Sequence, residues 1–167
     1  ISLKQLNPIL DNFLKKIEAG LKKSYDTKSK LYYSYFINEV SEYEAINTTE
    51  HLHQLAWPLK FKQKPLPLFL EGVMHSLRIT RKKEEAKKIF AFVRKSALFD
   101  KKLKMYKVCA PLAPMPLEIG RCRVFLPGWL ENESVWLHME YKYILELLKN
   151  GLYDEFCARF PYVLTDE

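Results

Sequence analysis

The chain has 167 residues, of which 48% are apolar, 14% aromatic and 28% charged, with only 5 glycines. That composition excludes the disordered, collagenous and low-complexity classes and sets a length prior of one domain. Twenty-seven Lys and Arg against 20 Asp and Glu give a formal charge of +7, which favours anionic partners without choosing among them; no stretch approaches the ~18 uninterrupted apolar residues of a membrane-spanning helix, so no membrane partner is expected.

In chain order, Leu3, Leu6, Leu10, Phe13, Leu14, Ile17 and Leu21 recur every three or four positions with lysines between them, which predicts an amphipathic helix. Asn7 and Pro8 offer an N-cap and a first helical position, and the polar run from Asp26 to Lys30 is a break. The aromatic segment from Leu31 to Tyr43 alternates partially and predicts an extended strand or hairpin arm. Its tyrosines suit a sugar site or, equally, a strand packed on a helix.

Pro58, Pro65 and Pro67 mark a boundary, and helical spacing resumes through Leu66, Phe69, Leu70, Val73, Met74 and Leu77. A second helix is predicted from about Lys83 to Lys95. The short connection Thr80 to Lys82 makes the two antiparallel neighbours. Between Phe99 and Gly128 periodicity fails among prolines and glycines, yet Met105, Tyr106, Val108, Leu112 and Ile119 predict a packed, functional loop. A helix is predicted from Ser134 to Lys149, stopped by Asn150 and Gly151, and a shorter one from Tyr153 to Phe160. Long helix, elaborate loop and long helix alternate. The expected fold is therefore all-α, antiparallel helical hairpins forming part of an α/α toroid, with one short aromatic extended segment.

Cys109, Cys122 and Cys157 form an odd set without Cys-x-x-Cys spacing and read as reduced thiols in a cytoplasmic protein. No Gly-rich phosphate loop, Gly-x-Ser-x-Gly elbow or His-Glu-x-x-His motif is present, so no cofactor and no metal are expected. Glu50, His51 and His53 lack the further placed ligands of a metal site and read as a solvated loop, and His75 reads as packed or capped. Arg78, Arg81, Lys82, Lys83, Lys87 and Lys88 gather at one helix connection. They keep open an alternative class, a non-enzymatic basic module binding nucleic acid or an acidic protein, though no recognised nucleic-acid motif accompanies them.

The stretch from Pro127 to Phe156 is the most informative. Glu131, Asn132 and Glu133 fall where a loop meets a helix N-terminus, with His138 one turn inside the helix. Read from spacing, this is either an anion- and sugar-facing junction or a plain helix cap by Asn132 or Ser134 with the acids complementing the dipole. Glu131, Asn132, two residues, then Val135, Trp136, Leu137 and His138 resemble the Glu-Asn-Gly-Gly-x-aromatic-x-His element of the cellobiose phosphorylase family, six-hairpin α/α-barrel carbohydrate-active enzymes. Glu133 and Ser134 stand where that family has two glycines.

The resemblance implies a phosphate-contacting role for His138, a sugar-proximal acid at Glu131 and a loop-shaping Asn132. Trp129, just before the element, is the candidate stacking platform, and Arg121 and Arg123 could face an anion. It also implies an oligosaccharide or glycoside, with inorganic phosphate, as ligands. The family's general acid is an aspartate upstream of the matched region and has no counterpart here, so no catalytic residue is assigned. Two or three hairpins are fewer than a six-hairpin ring needs. Residues 1–167 are thus expected to form one partial toroid domain, the C-terminal part of a longer enzyme that meets the rest of its barrel or a second copy.

Overall fold

The computed structural model describes residues 3–46, 55–80 and 82–164. The described residues are 49% helical and 22% strand, with three small antiparallel sheets, so the expected all-α toroid segment is incorrect. Helix α1 (Leu3–Ser24) leads into strands β1 (Tyr25–Asp26) and β2 (Leu31–Tyr32), then a long hairpin of β3 (Phe36–Ile46) and β4 (Leu55–Pro65). Helices α2 (Leu70–Ile79) and α3 (Lys83–Lys95) follow, then the small hairpin of β5 (Phe99–Asp100) and β6 (Met105–Tyr106), a 3-10 turn at Leu117–Ile119 and the short α4 (Arg121–Val124). Helix α5 (Leu137–Lys149), α6 (Tyr153–Arg159) and a 3-10 turn at Phe160–Val163 close the described chain.

The error lies mainly in β4. Leu55, Trp57, Leu59 and Phe61 alternate with Ala56, Pro58, Lys60 and Lys62, the two-residue period of a strand; two prolines made this stretch read as a boundary. Both strands of a two-stranded sheet are edges, where a missing N–H is tolerated. Pro58 pairs with Tyr43 directly beside the register shifts at Val40, Glu42 and Tyr43. Cross-strand pairs Lys60–Glu42 at 2.8 Å and Lys64–Glu39 at 2.6 Å flank the ladder.

The main core is built by Leu70, Val73 and Leu77 of α2, Phe90 and Val93 of α3, and Tyr143, Ile144 and Leu147 of α5, closed by Leu98, Tyr106, Leu152 and Val163. Helix α2 packs more extensively on α5 than on its sequence neighbour α3, so the pairing inferred from the short connection is not the principal one. A Cβ on Gly72 would meet the Ser34 hydroxyl oxygen at 2.5 Å and the Tyr32 carbonyl at 3.0 Å, which is why α2 carries glycine where the segment after β2 crosses it. Outside this core stand α1 and the β3–β4 hairpin. The apolar arc of α1, Leu6 to Leu21, remains 37 to 58% exposed, and the contacts of Lys23 with Gln63 and the Phe36 ring tie its end to the hairpin.

A smaller cluster of Val108, Cys109 and Leu112, packed by Phe69, Met115, Ile119, Cys122 and Trp136, lies beneath the loop before α5. It joins α2 through a short antiparallel pairing, with Leu70 donating to the Val108 carbonyl at 3.0 Å and Ala110 to the Leu68 carbonyl at 2.8 Å.

Two carboxylates sit inside the fold. Glu146 meets the Arg78 Nε at 3.1 Å and the Lys149 ammonium at 3.4 Å. Glu140, 1% exposed, accepts the Tyr106 backbone N–H at 2.9 Å through Oε2, among Tyr106, Tyr143 and Arg159. Burial raises Glu140 from 4.5 to about 7, against the opposing pulls of that N–H and of Arg159. A carboxyl whose folded value is raised binds its proton more tightly when folded, so its contribution to stability is complete below about pH 4.5 and is lost as pH rises through about 7. The free energy of unfolding measured in urea should therefore fall between pH 5 and pH 8, by up to about 3 kcal/mol from this group. Glu140→Gln should flatten that fall; an equally steep fall in the variant would assign it elsewhere.

Candidate functional site

The junction from Phe125 to His138 is an irregular loop pinned at several points. Gly128, at φ 90°, donates to the Asn132 carbonyl at 2.7 Å, and Asn132 donates its backbone N–H to the Trp129 carbonyl at 3.1 Å. The turn uses the left-handed region three times, at Gly128, at Leu130 (φ 47°) and at Glu133 (φ 55°), and side-chain-bearing residues adopt that region only under local compensation. The compensation is visible. The Leu130 carbonyl accepts the Ser134 hydroxyl and the Trp136 indole N–H, the latter at 3.0 Å, while the Glu133 carboxylate takes the Lys107 ammonium at 2.8 Å.

Cys109 holds the loop from below. Its thiol donates to the Glu131 carbonyl at 2.9 Å, and its sulfur accepts the Glu133 N–H at 3.5 Å. Burial pushes this thiol up to about 11, so it stays neutral and keeps the proton it donates. Val108 adds a backbone bond to the Ser134 carbonyl at 2.8 Å.

On this frame the four sequence-predicted residues take different positions. Trp129 is 59% exposed and tilted against Phe125, with ring centroids 5.3 Å apart. Glu131 is partly exposed and its Oε1 accepts the Arg121 guanidinium at 3.0 Å, whereas its Oε2 is buried without a partner. His138 is the second residue of α5, exposed, with its ring 5.4 Å from that of Trp136. Asn132 is only 3% exposed; its side-chain amide donates to the Phe125 carbonyl at 2.7 Å, and it shapes the loop from inside.

The plain-cap alternative does not describe the helix. α5 starts at Leu137, three residues later than predicted, with Trp136 as an N-cap that makes no side-chain bond. Glu131 and Glu133 are engaged by Arg121 and Lys107. From Glu131 to Trp136 the chain is a loop. Arg123 turns away, donating to the Met115 carbonyl at 2.9 Å. His75 is exposed beside Glu71 at 3.8 Å, neither packed nor capped. Glu50, His51 and His53 lie outside the described residues.

Sequence reasoning missed Lys107 and Cys109 as parts of this site. No local signal could have found them, since they lie more than twenty residues upstream and join the loop only through tertiary contacts. Among the described residues no group of three or more His, Cys, Asp or Glu is placed to hold a metal, and no helix is long and apolar enough to cross a membrane. Compared with protein-family models, curated proteins and solved structures, the chain matches none of them.

Chemically, the groups at the junction are the Trp129 ring on the loop, the pair of Arg121 of α4 with Glu131, and the His138 imidazole in the first turn of α5. Groups of these types are the ones that stack on or hydrogen-bond to hydroxyl-rich and anionic ligands. The frame and its outer groups should separate on mutation. Asn132→Ala, which orphans the Phe125 carbonyl in the interior, should lower stability by about 2 kcal/mol in urea denaturation. Trp129→Ala should stay within about 0.5 kcal/mol of the parent.

Proposed function

We propose that this chain is the C-terminal segment of a carbohydrate-active enzyme acting on glycosidic bonds, by phosphorolysis or hydrolysis, and that the junction 125–138 is its sugar- and phosphate-contacting rim. The proposal does not rest on the toroid, which the described residues do not form. The observation that carries it is the left-handed backbone of Glu133. This is the first of the two positions at which the cellobiose phosphorylase element has glycine, the residue that adopts such a backbone without steric conflict. Glu133 keeps the turn with its side chain tethered to Lys107, so Glu131 and His138 stand on either side of a turn of the kind a glycine there permits.

Trp129 supplies a stacking face, Glu131 with Arg121 supplies hydrogen bonds to hydroxyls, and His138 supplies a donor to phosphate or a sugar oxygen. The resembled family's general acid has no counterpart here, so in this reading the segment binds and positions and does not itself cleave. The compartment is cytoplasmic in this proposal, on the three free thiols Cys109, Cys122 and Cys157.

Titration of the chain with cellobiose and with inorganic phosphate, followed by chemical-shift changes of the tryptophan indoles and of His138, tests the reading. Trp129→Ala should weaken the disaccharide, and His138→Ala the phosphate, each by about tenfold, the loss of roughly 1.4 kcal/mol of contact. Absence of saturable binding for both ligands, or variants that bind as the parent does, would overturn it.

A further inference from the structure

A second concave surface lies outside the junction and shares none of its residues. It is a cleft of about 640 Å³ between the β1–β2 turn, the end of α2 and the outer side of α3. Its apolar lining comes from Ile79, 67% exposed at the end of α2, and Phe92 of α3, beside the ring pair Tyr25 and Tyr32, whose centroids are 5.1 Å apart. Three lysines line it from separate elements: Lys30 from the turn, Lys82 from the α2–α3 connection and Lys88 from α3. Among the described residues Glu85 alone brings a carboxylate to the lining, 3.7 Å from the Lys82 ammonium. The two aliphatic hydroxyls of the lining are committed to backbone, Ser76 to the Val73 carbonyl and Thr80 to the Ser76 carbonyl, both at 2.7 Å.

The turn that places Lys30 has the same build as the β5–β6 turn, where Asp100 accepts the backbone N–H groups of Lys102 and Leu103, both at 2.9 Å, and Lys104 has φ 56°. Asp26 clamps the Lys30 turn, accepting the backbone N–H groups of Ser29 at 3.0 Å and Lys28 at 3.2 Å, and those bonds, with the Ser29 hydroxyl first, hold the Asp26 carboxyl below its usual range. Lys30 then adopts φ 60°, a conformation for which glycine or asparagine is the ordinary choice in a turn.

We propose that this cleft binds a nucleobase–phosphate unit, the base lying on the Tyr32, Ile79 and Phe92 surface and the phosphate among Lys30, Lys82 and Lys88. The lining is positively charged, which selects an anion. Its volume exceeds what a bare phosphate needs and falls in the range of small-ligand sites. The aromatic and apolar part, with the Tyr25 and Tyr32 rings inclined at 56°, offers a ring face to a planar body joined to that anion, and base–aromatic stacking with lysine neutralisation of phosphate meets both demands. The same unit comes either as a free nucleotide or as part of a single strand of nucleic acid.

Calorimetric titration of the chain with adenosine 5′-monophosphate, adenosine, inorganic phosphate and an oligothymidylate of about eight nucleotides tests the assignment. The mononucleotide should bind more tightly than adenosine or phosphate alone and weaken as salt is raised. Lys88→Glu and Phe92→Ala should each weaken it about tenfold with the far-ultraviolet circular dichroism unchanged. Lys30→Gly should weaken it while leaving the thermal midpoint equal or higher, because glycine relieves the left-handed strain. Tighter binding of the oligothymidylate than of the mononucleotide assigns the unit to a single strand, and the reverse to a free nucleotide. Phosphate binding as tightly as the nucleotide, unchanged affinity in both Lys88→Glu and Phe92→Ala, or no saturable binding up to about 10 mM would overturn the proposal. Because the junction is itself expected to take phosphate, the phosphate arm is measured on His138→Ala, and the effects of Lys88→Glu and Phe92→Ala, residues the junction does not share, report on the cleft alone.

Discussion

The two backbone hydrogen bonds between residues 68–70 and 108–110 are the constraint on which the arrangement turns. They hold Phe69 opposite Cys109 at the entrance of α2, and so fasten the main core to the smaller cluster that carries the loop before α5. Once Cys109 is fixed, its thiol sets the height of Glu131 and Glu133, and Val108 sets Ser134. The positions of Trp129, Glu131 and His138 are consequences of that anchoring. A loop with three left-handed residues has little intrinsic preference for one shape, and this one is specified from outside by a buried thiol, the Val108 backbone N–H and two ion pairs.

The interior carries a second, electrostatic theme. Glu140, Tyr106, Tyr143 and Arg159 bring four polar side chains together where α5, β6 and α6 meet. Each has one polar atom without a hydrogen-bond partner, among them the Glu140 Oε1 and both tyrosine hydroxyls. An apolar set of the same volume would avoid the desolvation these groups incur. What the polar set adds is direction: the Glu140 carboxylate fixes the Tyr106 N–H, and Arg159 reaches the Lys104 carbonyl at 3.4 Å while its guanidinium lies over the Phe99 and Tyr162 rings. The small β5–β6 hairpin is oriented on the helices by these bonds as much as by packing.

The N-terminal third obeys a different balance. In α1 the apolar residues share one arc and the lysines the other, yet the described chain supplies nothing broad enough to cover the apolar arc. In the β3–β4 hairpin, Val40, Trp57, Leu59 and Phe61 are equally exposed.

The sequence by itself determined the local elements whose period is strong. Leu3 to Leu21, Lys83 to Lys95 and Tyr153 to Arg159 declare helices because their apolar residues return at helical spacing within a few turns, and that geometry needs no partner to be read. It also drew attention to the junction, since Glu131, Asn132, Trp136 and His138 are close together in the chain. Tertiary structure decided the rest. β4 became a strand because β3 pairs with it along its length and its prolines fall in an edge strand, one of them beside the register shifts, a circumstance that no window of residues 55–65 contains. Asn132 turned inward because Phe125 offers a carbonyl, and α5 began late because Leu130 and Cys109 hold the preceding residues in another path. Whether a side chain faces ligand or core depends on atoms brought from twenty to seventy residues away, as Asn150 shows by donating to the Leu77 carbonyl at 3.0 Å, and such contacts leave no periodic trace in the chain that makes them.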